Sequence, residues 1–157
     1  MTDRAQGGYA VSEAGSAKDV GLTHVALPAT DLEASVAFYF KYAKMQVVHR
    51  RPEVVWLSDK TRPFVIVLME APDVPFPLTP FAHLGVACES PEEIDELCKS
   101  AQEENCLIAG PMDYGPPFGY WAFLRDPDGH TLEISFGQEV GVTVDESRES
   151  VFETRKR

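Results

Sequence analysis

The chain has 157 residues, of which 44% are hydrophobic, so it is long enough to bury the core of one domain or of two fused half-domains. Its 25 acidic and 14 basic residues give a formal net charge of −11, which argues against nucleic acid and anionic lipid as partners. No apolar run is long enough to cross a bilayer, and the N-terminus lacks the apolar stretch of a secretory signal. We therefore expect a cytoplasmic protein whose three cysteines are reduced.

The composition predicts a central domain between two polar tails. Residues 1–20 are rich in Gly, Ala and Ser, which predicts a flexible arm, and residues 138–157 form a polar tail with at most a short helix. The segment DVPFPLTP at 73–80 holds three prolines, which make it a poor helix and a poor central strand. The expected boundaries are module one at residues 21–71, a linker at 72–80 and module two at 81–137.

The segments on either side of this linker resemble each other. Each opens with a short strand that carries a histidine, His24 or His83, and a helix start follows six or seven residues later. Each helix start is predicted as a capping box, in which a hydroxyl and a carboxylate three residues apart satisfy exposed backbone amides. The two boxes are Thr30 with Glu33 and Ser90 with Glu93.

Apolar residues then recur at helical spacing, and three short strands follow each helix. The stripes expected to face the core are Leu32, Val36, Tyr39 and Phe40 in the first helix, and Ile94, Leu97, Cys98 and Ala101 in the second. This order predicts an α+β fold of two tandem βαβββ modules that form a curved, half-barrel mixed sheet. Each sheet is expected to carry its helix on one face, while the other face curls around a shared cavity.

Strand parity predicts which side chains face that cavity, because alternate residues of a strand point to opposite faces. If Leu132 and Ile134 pack on the helix, then Glu133 points into the cavity. The same argument places His24 and His83 there.

Two imidazoles and one carboxylate are good ligands for a divalent metal, and three ligands leave positions open for water or substrate. For each residue alone the alternative is a hydrogen-bonded core side chain. The equivalent positions of the two histidines in a repeat favour the metal, and so does a carboxylate in an apolar strand, which needs a partner.

Three segments carry a resemblance to a known family: THVAL at 23–27, FAHLGV at 81–86 and FLRDPDGHTLEI at 123–134. With them the chain resembles the vicinal-oxygen-chelate superfamily, which includes glyoxalases, bleomycin-resistance proteins and dioxygenases. The resemblance covers about residues 21–137. It implies paired βαβββ modules around a divalent metal (Fe, Mn, Zn or Ni), a homodimer, and a small-molecule substrate that chelates the metal through adjacent oxygens. The implied ligands are His24, His83 and Glu133.

The resemblance also separates the branches of the superfamily. Glyoxalase I proteins carry a further glutamate on the last strand of the first module, where this chain has Val67, and the nearest carboxylate, Glu70, has the wrong parity. Ordinary glyoxalase I activity is therefore not expected. The remaining branches are extradiol dioxygenases, which use further histidines, and fosfomycin-resistance thiol transferases, which need a cationic pocket. The candidates for these additional groups are His49, His130, Arg125 and Lys60.

A Gly/Pro-rich loop at 110–120 precedes a cavity-lining strand and is expected to fold over the site. Its aromatic residues Tyr114, Phe118 and Tyr120 are candidates to contact substrate, and either tyrosine could act as a base. The alternative is a surface loop whose aromatic rings pack on the body of the protein.

Two classes of function follow. The first is a metal-dependent enzyme with lyase, isomerase, thiol transferase or dioxygenase chemistry. The second is a non-catalytic protein that sequesters a small molecule or drug, of the bleomycin-resistance type. The His24, His83 and Glu133 set favours the enzyme, because a pure binding protein has no need of it.

Overall fold

The structure is a computed structural model that describes the backbone of residues 21–154 and the side chains of residues 21–148. The arm predicted at residues 1–20 lies outside the described residues. Module one contains β1 (His24–Ala29), α1 (Leu32–Ala43), β2 (Gln46–Arg51), β3 (Val54–Ser58) and β4 (Val65–Glu70). Module two contains β5 (His83–Ala87), α2 (Pro91–Glu103), β6 (Leu107–Asp113), β7 (Tyr120–Arg125) and β8 (Thr131–Phe136). A last helix, α3 (Val140–Thr154), follows in the segment expected to be a polar tail. No helix within residues 21–154 is both long and apolar enough to cross a membrane.

The strands form two mixed four-stranded sheets, which are not closed barrels. Their orders are β1-β4-β3-β2 and β5-β8-β7-β6, and in each sheet the first pair is parallel and the others are antiparallel. The registers also match, because Ala26 lies opposite Val67 and Gly85 lies opposite Glu133. The predicted tandem of βαβββ modules is therefore confirmed, and Val67 holds the place of Glu133 in module one.

The start of α1 differs from the prediction. Asp31 is the N-cap, and its Oδ1 accepts hydrogen bonds from the amides of Glu33 and Ala34, both at 3.0 Å. Thr30 instead donates its hydroxyl to Asp128 of module two at 2.5 Å. The predicted capping box of Thr30 and Glu33 is therefore wrong, because the neighbouring carboxylate caps two amides and frees the threonine for a contact between modules.

The start of α2 follows the prediction in part. The Ser90 hydroxyl accepts a hydrogen bond from the amide of Glu93 at 3.3 Å, and Pro91 opens the helix. The Glu93 carboxylate does not return to Ser90 but accepts from the amide of Glu89 at 2.7 Å and pairs with Lys44. One half of the capping box is present, and the carboxylate reaches one residue further.

The stripe predicted for α2 is correct, with Ile94, Cys98 and Ala101 buried and Leu97 half-buried. The stripe of α1 is partly wrong, because Phe40 is 63% exposed. The residues that α1 buries are Ser35, Phe38, Tyr39, Tyr42 and Ala43. A single-sided stripe does not describe this helix, since Tyr39 and Tyr42 contact carboxylates of module two while the helix also packs on its own sheet.

The tight turn Asp126–His130 joins module two to module one. The buried Asp126 carboxylate accepts a hydrogen bond from the Tyr39 hydroxyl at 3.0 Å. Burial raises the pKa of Asp126, and this effect outweighs the nearby His130 and the hydrogen bonds, which lower it. Asp128 accepts both the hydroxyl and the amide of Thr30. Side chains of this turn therefore hold the start of α1 and the middle of α1 at the same time.

His130, the last residue of the turn, also contacts other parts of the chain, and it is almost fully buried. Its Nδ1 accepts the amide of Leu78 at 3.0 Å, so the ring proton lies on Nε2, which donates to the carbonyl of Pro28 at 3.1 Å. His130 thus bridges the linker and β1, so its ring is not available as an additional histidine at either predicted ligand group.

The helix-covered faces of both sheets share one hydrophobic core. Its strand residues include Leu27, Ile66 and Leu68 from the first sheet, and Leu124, Leu132 and Ile134 from the second. Because these faces pack together, the opposite faces are left open, and each lines its own cavity. The cavity expected to be shared by both sheets of one chain is therefore not found in the described part of the chain.

Candidate functional site

The open face of the first sheet, called the His24 face below, lines a cavity of about 690 Å³. His24 and Ala26 of β1, Trp56 of β3, and Val67 and Met69 of β4 reach it. Their alternation follows from strand parity. Glu70, the residue after Met69, lies in a different surface hollow, so it does not replace the glutamate that Val67 lacks.

His24 is exposed on this face. The Thr23 hydroxyl lies 3.1 Å from its Nδ1, and the structure gives Nε2 no hydrogen-bond partner within residues 21–148. The imidazole therefore presents one free nitrogen to the cavity.

The open face of the second sheet, called the Glu133 face, holds the other two predicted ligands. Glu133 lies centrally on β8 and is only 8% exposed. Its Oε1 accepts a hydrogen bond from Gln138 Nε2 at 2.5 Å, and its Oε2 lies 3.2 Å from His83 Nε2. His83 Nδ1 lies 2.8 Å from the carbonyl of Pro80, to which it must donate.

The hydrogen bond to Pro80 decides what His83 can do. In neutral histidine only one ring nitrogen carries a proton, so Nδ1–H leaves a lone pair on Nε2. Two lone-pair atoms, His83 Nε2 and Glu133 Oε2, then face each other and need a cation between them. That cation is either a second proton on His83 or a metal ion.

The geometry fits a metal as well as a proton. Two bonds of about 2.1 Å that meet at about 90–109° separate their donor atoms by roughly 3.0–3.4 Å, and the observed separation is 3.2 Å. A carbonyl that fixes the ring through Nδ1 is the usual support of a metal-binding histidine. Thr131, two residues before Glu133, also has a buried hydroxyl without a partner in the described part of the chain.

Within one chain the structure brings together two of the three predicted ligands. His24 lines the cavity of the first sheet, and neither His83 nor Glu133 reaches that cavity. Among the described residues there is no group of three His, Cys, Asp or Glu side chains able to hold a metal ion. The expected convergence in one chain is therefore not found, because parity fixes the face of a sheet but not how two sheets are oriented.

The comparisons with known proteins agree with this architecture. The family model described as Glyoxalase/Bleomycin resistance protein/Dioxygenase superfamily matches residues 21–134. The chain belongs to this superfamily. An uncharacterized protein of Pseudomonas aeruginosa is 38% identical, over 76% of this chain and 91% of its own length.

Two solved structures of low identity share the glyoxalase-superfamily fold. One is a mutant of the fosfomycin resistance protein FosX of Listeria monocytogenes, complexed with Mn(II) and a dihydroxypropylphosphonic acid. It has 20% identity, a TM-score of 0.61, and coverage of 73% of this chain and 88% of that one. The other is TnmS3, an antibiotic binding protein from Streptomyces, with 19% identity, a TM-score of 0.56, and coverage of 75% and 96%. At this identity the likeness shows the fold alone.

The two tyrosines expected to serve catalysis lie in different places in this glyoxalase-superfamily chain. Tyr120 points to the helix side of its sheet and donates its hydroxyl to Asp95 of α2 at 2.5 Å. That hydrogen bond raises the pKa of Tyr120 to about 12. Its expected place over the cavity is wrong, because Tyr120 shares parity with the buried Ala122 and Leu124. Tyr114 does lie on the Glu133 face and is 63% exposed.

Three residues of the Glu133 face are not among the residues predicted from the sequence. Trp121 and Phe123 of β7 line its cavity of about 330 Å³, and the Phe123 ring lies 5.2 Å from the His83 ring. Trp121 and Phe123 alternate with the buried Ala122, so strand parity could have predicted that both face the cavity. Gln138 gave no such signal, because it reaches Glu133 only after Gly137 turns the chain with φ +83°.

The other polar candidates do not form a group at either face. Arg125 donates to the carbonyl of Asn105, and Lys60 donates to Gln46. The His49 ring lies against Trp56, with 5.0 Å between the ring centroids.

Proposed function

We propose that the chain is a metal-dependent enzyme of the glyoxalase superfamily whose metal site is shared between two copies of the chain. His24 of one copy would join His83 and Glu133 of the other around one divalent ion. The observation that carries this proposal is the pair His83 Nε2 and Glu133 Oε2, which face each other at 3.2 Å while His83 Nδ1 is held by the carbonyl of Pro80.

The need for a second copy follows from the incomplete sets of donors. The His24 face offers a single imidazole, and the Glu133 face offers an imidazole and a carboxylate. Both faces are open and expose large apolar side chains. These are Trp56, Met69, Tyr114 and Phe118, which are between 41% and 63% exposed. Apolar surface of this kind gains stability when it is covered, and a homodimer that joins the two faces would cover it and complete the metal site.

The proposed substrate is a small molecule with two neighbouring oxygens, such as an α-keto, α-hydroxy or catecholate group. A divalent ion (Fe, Mn, Zn or Ni) would supply Lewis-acid polarisation of those oxygens. Gln138 would hold the Glu133 carboxylate in place through its hydrogen bond. Phe118 and Tyr114, on the same cavity, would exclude water from the substrate.

The side chain at position 67 limits the type of reaction. Val67 occupies the register position of Glu133 in module one, so that position offers neither a ligand nor a carboxylate base. The chemistry that remains is a lyase, isomerase, thiol transferase or dioxygenase reaction that does not use a carboxylate there. Tyr114 lines the cavity of the Glu133 face and could supply a phenol there, while Tyr120 is engaged with α2.

The metal content of purified protein tests this proposal. Glu133→Gln keeps the shape of the side chain but removes its charge, and we expect Mn(II) or Zn(II) affinity to fall by a factor of tens or more. Glu70→Gln is the matched control, since Glu70 lies on β4, the last strand of module one, but does not line the cavity of the His24 face. Equal metal affinity of the wild type and Glu133→Gln would show that Glu133 is structural.

A second candidate is a metal-free binding protein that sequesters a small molecule. The mostly apolar lining of both cavities favours it, and the antibiotic binding protein TnmS3 is an example of such a protein with this fold. Tight ligand binding without any metal, unaffected by chelators, would favour this candidate over the enzyme.

A further inference from the structure

The charge of the cavity on the His24 face is opposite to that of the whole chain. The formal net charge of the protein is −11, yet Arg51 and Arg62 both line this cavity, and no Asp or Glu lines it. A concave surface with one sign of charge concentrates ligands of the opposite sign.

The pairing of the basic residues supports the same conclusion. Arg50, the neighbour of Arg51 on β2, points to the helix side and pairs with Glu33 of α1. Arg51 has no ion pair or hydrogen bond to any described side chain, and Arg62 lies over the Phe64 ring at 5.5 Å. Both cavity arginines therefore keep donors free for a ligand.

The sheet register places the two arginines at opposite ends of the cavity. Arg51 pairs with Val54, which pairs with Met69 near the end of β4. Arg62 precedes Val65, which pairs with His24 at the other end. Met69 lies four residues after Val65 on β4, which corresponds to about 13 Å along the strand.

Trp56 lies between these ends, because it pairs with Val67 in the middle of β4. Its ring is 41% exposed towards the cavity. It offers a flat apolar surface to the central part of a ligand.

We propose that the His24 face takes an elongated anionic small molecule. Its chelating oxygens lie at the end formed by His24 and Arg62, its planar apolar part lies against Trp56, and a remote carboxylate or phosphate binds Arg51. The orientation rests on the proposed function, because it assumes that the metal lies beside His24. The selection for a negative charge rests on Arg51 and Arg62 alone.

The test compares a charged probe with its neutral counterpart. Dihydrocaffeate is a catechol with a carboxylate on a short tail, and its primary amide has the same shape without the charge. Binding of both compounds is measured by calorimetry under anaerobic conditions, with metal-free and Mn(II)-loaded protein. We expect the acid to bind more tightly than the amide, and Arg51→Gln to weaken the acid by about tenfold and the amide by less than about twofold.

Arg50→Gln is the matched control, because it removes the same charge from the next residue on the opposite face and should leave both affinities unchanged. The acid preference should also shrink at high salt, since the guanidinium is exposed. Equal affinities for acid and amide in the wild type would overturn the proposal. Loss of the dimer in Arg51→Gln, seen by light scattering, would also overturn it, because Arg51 would then serve the partner and not a ligand.

The two proposals fail in different ways in this experiment. If no Mn(II) binds to the wild type, the proposed metal site is wrong, while the difference between acid and amide in metal-free protein still reports on Arg51. If Mn(II) binds and the two probes bind equally, the metal site stands and the anion selectivity is wrong.

Discussion

Replacement of Asp126 by alanine should be among the most damaging single changes in the chain. Asp126 Oδ1 accepts the amides of Asp128 and His130 at 2.9 and 2.8 Å, and Oδ2 accepts the Tyr39 hydroxyl. Alanine would leave the two backbone amides without their acceptor in a turn whose end residues, Asp126 and His130, are buried. Each such loss costs about 1–3 kcal/mol, so we expect the free energy of unfolding to fall by about 2–5 kcal/mol.

Asparagine at the same position provides the matched control. Its Oδ1 can accept both amides, and its Nδ2 can donate to the Tyr39 hydroxyl, so Asp126→Asn should lie within about 1 kcal/mol of the wild type. Urea unfolding followed by circular dichroism gives all three free energies. The reasoning would be refuted if Asp126→Ala lost less than about 0.5 kcal/mol, or if the asparagine variant were as unstable as the alanine variant.

Three further outcomes are expected. Burial raises the pKa of Asp126 in the folded state, so the ionised carboxylate destabilises the fold, and this destabilisation is lost as the pH falls through the folded pKa. The free energy of unfolding of the wild type, measured in urea, should therefore rise relative to that of Asp126→Asn as the pH is lowered from about 7 to about 4. Gly119→Ala should lower the unfolding temperature, because Gly119 has φ +71° and a Cβ there would lie 2.2 Å from the carbonyl oxygen of Phe136; an unchanged temperature would contradict the described turn. Tyr120→Phe should leave metal affinity unchanged, since the Tyr120 hydroxyl donates to Asp95 and does not reach the Glu133 face. A large loss of metal affinity would show that Tyr120 does contribute to the metal site.

The fold was predictable because its signals are local and repeated. The two strand histidines, the helix stripe of α2 and the tight turn before β8 each follow from spacing and residue type, and the tandem modules follow from their repetition. The errors arise where the modules meet. Thr30 was assigned to a helix cap but binds Asp128, and Phe40 was assigned to the core but is exposed.

The candidate site was predictable one face at a time. Parity placed His24, His83 and Glu133 on the open faces of their sheets, and the structure has them there. It could not show that the two faces open separately, because that depends on how the helix-covered sides pack into one core. Arg51 reaches the cavity because of its pairing between β2 and β3, and Gln138 reaches Glu133 because of the turn after β8. Neither the strand register nor the turn geometry can be read from a single sequence.

The central claim is that one metal site uses ligands from two copies of the chain, and mixed dimers test it most directly. Two differently tagged chains, one with His24→Ala and one with His83→Ala, are expressed together, and the dimer that carries both tags is isolated. A shared site predicts one intact site in this dimer, formed by His24 of the second chain with His83 and Glu133 of the first. Both homodimers should then lack tightly bound metal, while the mixed dimer should bind one Mn(II) ion with wild-type affinity. A mixed dimer that binds no more metal than the two homodimers would contradict the account.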